Sequence, residues 1–343
     1  MNRGPVRALI AVLVSLFLTL ILLRATGAPP YESLAVIFDG AFGNPGRIAD
    51  TLMAWAPLVL AAAGLVVTFA AGLWNIGVEG QVTAGAIAAS WVARELPGPA
   101  YVLIPAMLLA GIAGGALWGL LAGWLKVKGN VNEIFGGLGL GFVALSFATF
   151  LVIGPWKREG VASTSGTDPF RPEAWLPTVG DTRLAPVAVL LAIAGIAAVA
   201  YSIRGTRFGL RLRAVGSNPA SARLLGVPPQ ATLVRAFMVG GGMAGLAGAV
   251  IASGIQHKLV PAIAGGRGYL AILVVLLASF RAAWVAPVAV FFAAISTGAA
   301  QLQLQLDLDS SLGGVIQGIL VLVFLLTGGL LTRWQSRKAA ASG

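Results

Sequence analysis

The sequence predicts an all-α integral membrane protein of about ten transmembrane helices, one or two of them short or broken. Three observations carry that prediction. Only 10% of the 343 residues are charged against 58% hydrophobic, with a mean hydropathy of +0.90, whereas a soluble domain devotes about a quarter of its residues to charge. Apolar runs recur near the roughly 20 residues that a helix needs to cross the hydrocarbon core; strands of a membrane barrel would alternate over about ten residues. The basic residues, finally, fall unevenly between alternate connections.

The runs lie at 6–23, 51–72, 76–93, 99–125, 134–153, 184–202, 231–254, 268–280, 285–305 and 310–331. Before the first stand Arg3 and Arg7, and after it Thr26, Gly27 and Ala28, the outline of a signal peptide; with nine further runs following, it is expected to stay as an uncleaved first helix. The third run opens on polar residues and the eighth is short. Gly111, Gly115, Gly119 and Gly123 form one stripe of the fourth run, and Gly137 with Gly141 and Gly241 with Gly245 repeat the spacing. Small residues four apart let helix backbones approach closely. Packing within the chain is the expectation, a dimer interface the alternative.

Placing the N-terminus inside puts 14 of the 23 basic residues in the cytoplasm with only Glu79 and Glu133, leaving nine bases and ten acids outside. That bias satisfies the positive-inside rule. Both termini are then cytoplasmic, and the net charge of +11 reports topology with no need of nucleic acid. The chain is expected to form a single transmembrane domain over 1–343. Residues 154–183, with four bases and four acids, form an extracytoplasmic loop, and 203–230, with five arginines and no acid, a cytoplasmic one.

Composition also limits the chemistry. Cysteine is absent and His257 is the single histidine, so neither a disulfide, a metal site nor a proton relay is expected. No nucleophile–base pair stands out, and no catalytic residue is assigned.

The polar exceptions are few. NIGVEGQ, residues 75–81, interrupts apolar sequence. Asn75 is expected to cap a helix whose first turn carries Glu79, where the helix dipole favours a carboxylate. Irregular backbone at membrane depth survives only where it is buried in protein or lines a cavity, and transporters build sites from broken helices. Asn75, Glu79 and Gln81 are therefore candidates for a translocation pathway, with capping and packing as the competing role. Asn132 and Glu133, at the cytoplasmic start of the fifth run, are pathway candidates too, but capping is the expectation there and substrate contact the alternative. Gln256, His257 and Lys258 suit an outer interfacial anchor, with docking or gating as the alternative. Gln301, Gln303 and Gln305 alternate and point to different faces. Trp55, Trp91, Trp118 and Trp124 fit interfacial or packing positions. In LRAVGSNPASARLLGVPP, residues 212–229, Asn218 suits an N-cap, Pro219 the first helical position and Gly226 the position past the end. Pro228 and Pro229 then forbid continuation. A helix of about two turns at the membrane surface follows.

RAVGSNPASARLLGV resembles the cytoplasmic coupling motif of ABC importer permeases, in the family serving branched-chain amino acids, simple sugars and nucleosides. NIGVEGQ resembles the signature of the nucleoside and simple-sugar branch, and KGNVNEI (128–134) and GGRGYLAI (265–272) are similar to that branch too. The resemblance spans essentially the whole chain; GGLGLGFVALSF after VNEI departs from it, being more glycine-rich and less polar. It implies a permease subunit that imports a nucleoside or simple-sugar-like solute by alternating access across a bacterial plasma (inner) membrane. Arg213, Ala214, Gly216, Asn218, Pro219, Ala222, Arg223 and Gly226 would couple it to an ABC ATPase subunit. A second, different but homologous permease and an extracytoplasmic substrate-binding lipoprotein would complete the system. This chain would bind no cofactor, ATP and magnesium being used by the ATPase; it carries no G-x-x-x-x-G-K-[ST] phosphate loop. GGRGYLAI opens the eighth run much as NIGVEGQ opens the third, and runs 2–5 and 7–10 have opposite orientations, as an inverted repeat requires. The alternative function is a stand-alone secondary transporter or facilitator. Ion-coupled carriers need buried carboxylates at mid-membrane, however, and none of the runs has a central acid.

Overall fold

The computed structural model describes residues 27–160, 165–309, 311–319 and 321–323, together with 14, 17, 18, 20, 21, 23, 24 and 326. Most of the expected first span, the end of the tenth, and the basic C-terminal residues Arg333, Arg337 and Lys338 lie outside the described residues.

Every regular element among the described residues is helical. Among the described residues, six helical stretches are long and apolar enough to cross a membrane. They are α2 (Pro45–Ala70), α4 (Ala100–Val127), α5 (Glu133–Ile153), α6 (Pro186–Gly205), α9 (Pro229–Ile251) with its π-helical turn Ala252–Gln256, and α11 (Ala282–Gly298) with α12 (Ala300–Leu306). The third expected span is α3 (Val78–Glu95), and the eighth is α10 (Arg267–Leu277). The chain is a multi-pass membrane protein. At 11 residues, α10 is only about 16 Å long, half the depth of a hydrocarbon core of about 30 Å.

Two helices were not expected. α1 (Pro30–Phe42) starts on a proline at its first position and buries Val36, Ile37 and Ala41. α7 (Arg207–Ser217) occupies most of what the sequence suggested was bare connector before the short α8 (Pro219–Leu224). Its buried residues Gly209, Leu212 and Val215 recur every third position; intervening arginines conceal that stripe. The Thr206 hydroxyl caps it by accepting from the Gly209 N–H at 3.3 Å.

Two compact units divide the chain, residues 52–290 and residues 1–51 with 291–343. In the first, α3, α4 and α9 pack around a seam of glycine. α4 buries Leu103, Met107, Gly111, Gly115, Gly119 and Gly123 along one face. A Cβ added to Gly115 would overlap the Gly241 carbonyl, and one on Gly85 or Gly111 would meet Gly245. The fourth-run stripe is thus buried inside the subunit against α9. α5 joins through Gly137, which lies against Gly77, and through the Trp118 indole N–H donating to the Leu140 carbonyl at 3.2 Å. Trp55 on α2 donates to the Ala286 carbonyl at 2.9 Å. Trp91 and Trp124 are more than half exposed, at 57% and 55%, as aromatics at a membrane interface would be.

In the second unit, α1 packs on the end of α11 and on α12. Its core is Val36, Ile37, Ile295, Ala299, Leu302 and Ile316, and Gly298 fits against the Ile37 carbonyl, where no Cβ could stand. The buried Gln317 amide donates to the Phe292 carbonyl at 2.9 Å and to the Ser296 hydroxyl at 3.0 Å.

Candidate functional site

Residues 71–77 break the chain between α2 and α3, and the break is held by side chains. Asn75 does not cap α3: Gly77 holds the N-cap position, with no side-chain cap. Instead Asn75 Nδ2 donates to Gln81 Oε1 at 2.9 Å and Gln81 Nε2 donates to Asn75 Oδ1 at 3.2 Å. Both residues are buried, at 1% and 0% exposure. Two primary amides closing on each other satisfy donor and acceptor in pairs, which a buried polar group requires. The pair ties the break to the first turn of α3.

Glu79 reaches elsewhere. Its Oε1 accepts the Gly266 N–H and its Oε2 the Gly268 N–H, both at 2.7 Å. These amides belong to the N-terminal turn of α10, so the carboxylate caps a helix almost 190 residues away in the chain. Such a terminus carries unsatisfied N–H groups and partial positive charge. Gly265 and Gly266 stand at φ +58° and +77°, a region open to glycine at little cost. A Cβ on Gly268 would lie 2.7 Å from Glu79 backbone and carboxylate atoms. Arg267, between these glycines, is near enough to Glu79 to interact electrostatically. The NIGVEGQ and GGRGYLAI stretches therefore form one structural unit.

That contact corrects the topology drawn from the runs, which set Glu79 at the inner face and Arg267 at the outer. Groups joined by 2.7 Å cannot occupy opposite faces of a core about 30 Å thick. α3 and α10 both start from broken backbone at a shared level, and neither residue belongs in a tally of loop charges.

Of the other two pathway candidates, Asn132 caps α5 by accepting from the Ile134 N–H at 2.9 Å. Glu133 pairs with Lys126 at 2.7 Å. The structure does not bring either into the Asn75–Gln81 pair or the Glu79 clasp.

The segment marked for coupling lies next to the same break. Asn218 Oδ1 accepts from the Ala220 and Ser221 N–H groups at 3.0 and 3.1 Å, capping α8. Ala222 is buried, Gly226 turns the chain at φ +76°, and the Val227 N–H returns to the Ala222 carbonyl at 2.9 Å. Arg213, Pro219 and Arg223 are exposed, as are Leu224 at 89% and Leu225 at 81%. Ala214 accepts the Asn218 N–H at 3.1 Å. Gly216 faces the end of α2: a Cβ there would stand 2.5 Å from the Ala70 carbonyl and 3.1 Å from the Gly72 nitrogen. The exposed α8 is thus one helix removed from the break at 71–77.

At the other end of this unit, residues 165–176 close over the turn that follows α9. The amides of Thr167, Phe170 and Leu176 donate to the carbonyls of Leu259, His257 and Ser253 at 2.9, 2.7 and 3.0 Å. The His257 ring stacks on Trp175 with centroids 4.3 Å apart. Its Nδ1 lies 3.0 Å from the Ser253 carbonyl; a carbonyl can only accept, so Nδ1 carries the proton. Burial pushes the imidazole pKa down from its ordinary value, and the Ser253 bond pulls it partway back. Sequence reasoning singled out His257 but not Thr167, Phe170 or Leu176, which carry no local signal beyond their type.

Comparison with known proteins identifies relatives along most of the chain. A family model described as the permease component of the branched-chain amino acid transport system matches residues 47–325. The glucose ABC transporter permease protein TsgB13 of Haloferax volcanii is 31% identical over 338 residues, covering 95% of this chain and 88% of its own. The nucleoside ABC transporter permease protein NupB of Lactococcus lactis is 28% identical, covering 87% and 84%. Among solved structures, a chain of PsaBC from Streptococcus pneumoniae in complex with Fab superposes with a TM-score of 0.50 at 13% identity, covering 86% of this chain and 95% of that one; this likeness concerns the fold alone.

Proposed function

We propose a specific task for this chain, which belongs to the family of branched-chain amino acid transport system permease components and is a permease subunit of an ABC transporter, not an enzyme. It imports a nucleoside or a simple-sugar-like solute. Relatives named for glucose and for nucleosides flank it in similarity, and the substrate class is drawn from those names together with the NIGVEGQ stretch. Its setting is a bacterial plasma membrane, with both termini in the cytoplasm. A cytoplasmic ATPase binds and hydrolyses ATP with magnesium, a different, homologous permease completes the pore, and an extracytoplasmic lipoprotein delivers the solute.

The observation that carries the mechanism is the contact of Gly216 with the chain at Ala70–Gly72. α8, exposed and rigidly capped, receives the movement of the ATPase through Arg213, Ala214, Gly216, Asn218, Pro219, Ala222, Arg223 and Gly226. α7 passes it to the break, where the Asn75–Gln81 pair and the Glu79 clasp move α3 and α10 as one body. Rigid-body rocking of one bundle against another around a fixed site is how such transporters alternate access.

Purification of the tagged chain from its native membrane in mild detergent, followed by mass spectrometry, tests the assembly. An ATPase, a second permease and a lipoprotein are the expected companions, and the reconstituted complex takes up solute only with ATP. Recovery of the chain alone, moving solute in liposomes without ATP, would replace this reading with the facilitator.

A further inference from the structure

A groove of about 370 Å³ opens between the C-terminal turns of α4 and the N-terminal turns of α9. Its walls differ in character. Leu120, Val127, Val234 and Met238 form an apolar side, Trp124 stands exposed at its edge, and Lys128 and Arg235 supply two cations; no acid lines it. Neither cation has a carboxylate partner among the described residues, whose ion pairs join other groups.

Arg235 lies six residues past Pro229, the first residue of α9, about 9 Å along the axis. It is exposed on a helix long enough to span. A charge at that depth is costly unless it is paired or reaches the headgroups. Lys128 follows the last turn of α4, and the antiparallel packing of α4 on α9 brings both cations to one opening.

We infer that this groove binds an anionic phospholipid of the cytoplasmic leaflet, its phosphate between Lys128 and Arg235 and an acyl chain along Leu120, Val234 and Met238. One such molecule answers each wall: anion for cations, hydrocarbon for the apolar side, and headgroup level for the Trp124 indole. A carboxylate from a partner protein or a free phosphate ion would neutralise the cations and leave the apolar wall bare. Basic pockets between transmembrane helices on the cytoplasmic side are suited to anionic headgroups. The inference rests on the orientation that puts residues 203–230 in the cytoplasm, and on no assumption about the solute.

Native mass spectrometry of the complete transporter, titrated with phosphatidylglycerol or phosphatidylcholine, tests it. Phosphatidylglycerol is expected to stay bound, and Lys128→Gln with Arg235→Gln to weaken it by roughly tenfold or more, each basic residue at an anionic surface contributing severalfold. Equal retention of the two lipids, or equal phosphatidylglycerol retention by parent and double variant, would overturn the proposal. So would displacement of the lipid by millimolar inorganic phosphate, which marks a simple anion site. Should the double variant fail to fold, quenching by brominated phosphatidylglycerol in the parent and in Trp124→Phe gives the answer. A smaller quenched fraction is expected in the variant, the other exposed tryptophans supplying the remainder, and an unchanged fraction sinks the site. Inverted insertion would be detected separately, by labelling from the two sides of the membrane.

Discussion

Both oxygens of Glu79 accept from backbone N–H groups of a distant helix, which leaves an amide no equivalent pose. In Glu79→Gln one acceptor becomes an NH2 facing a donor, and the charge at the α10 terminus is lost. A hydrogen bond to a charged group contributes about 1.5–3 kcal/mol. Uptake is expected to fall severalfold while membrane insertion and complex assembly persist, as read by uptake in proteoliposomes against protein recovered from the membrane. Parental uptake in Glu79→Gln would exclude Glu79 from the working parts. Asn75→Ala should lower stability by about 1–3 kcal/mol, because the Gln81 amide is then buried without its partner; a melting curve of the purified chain checks this.

His257 makes a pH prediction. Its folded pKa is depressed by burial, so below about pH 6.5 the unfolded chain binds a proton more readily than the folded one. The stability associated with the neutral ring is complete above that pH and is lost as pH falls through the folded value. The protection factors of the Phe170 and Leu176 amides, which bond to this turn, should fall between pH 7.5 and pH 5.5 once the base-catalysed intrinsic exchange rate is divided out, and His257→Gln should abolish that fall. Protection factors that ignore pH would remove the histidine from the closure.

Among the elements, α8 depends on its cap. Asn218→Ala leaves the Ala220 and Ser221 amides without their acceptor, a loss of about 1 kcal/mol, large for a six-residue helix. Solute moved per ATP hydrolysed by the reconstituted complex should fall, because a frayed α8 transmits less displacement. Gly216→Val places a branched side chain against the Ala70 carbonyl and should be more damaging to that ratio than Asn218→Ala; the reverse order would separate α7 from the transmission route. α7 itself went unnoticed in the sequence because its arginines dominate the composition of 207–217, while its buried stripe holds three residues only. α8 was legible in detail, since Asn218, Pro219 and Gly226 act locally and their chemistry requires no partner.

For the molecule as a whole, the lack of cysteine makes single-cysteine labelling straightforward. Leu224→Cys should react only from the cytoplasmic side and Gly180→Cys only from the opposite side; both labelling from one side would refute the orientation. The membrane class, most of the spans, the glycine seam and the Asn218 cap of α8 could be derived from the sequence by itself, because each arises from hydropathy or from contacts within one or two turns. Pairing was the part left to tertiary structure. A carboxylate at 79 beside a dipole-favoured helix start looks local, and Asn75 looks like a cap; only the packed chain reveals that Gly266 and Gly268 take the first and Gln81 the second. Hydrogen-bond partners remote in sequence leave no periodicity behind, and the choice between a near and a distant partner is made by which backbone amides the folded helices bring within 3 Å.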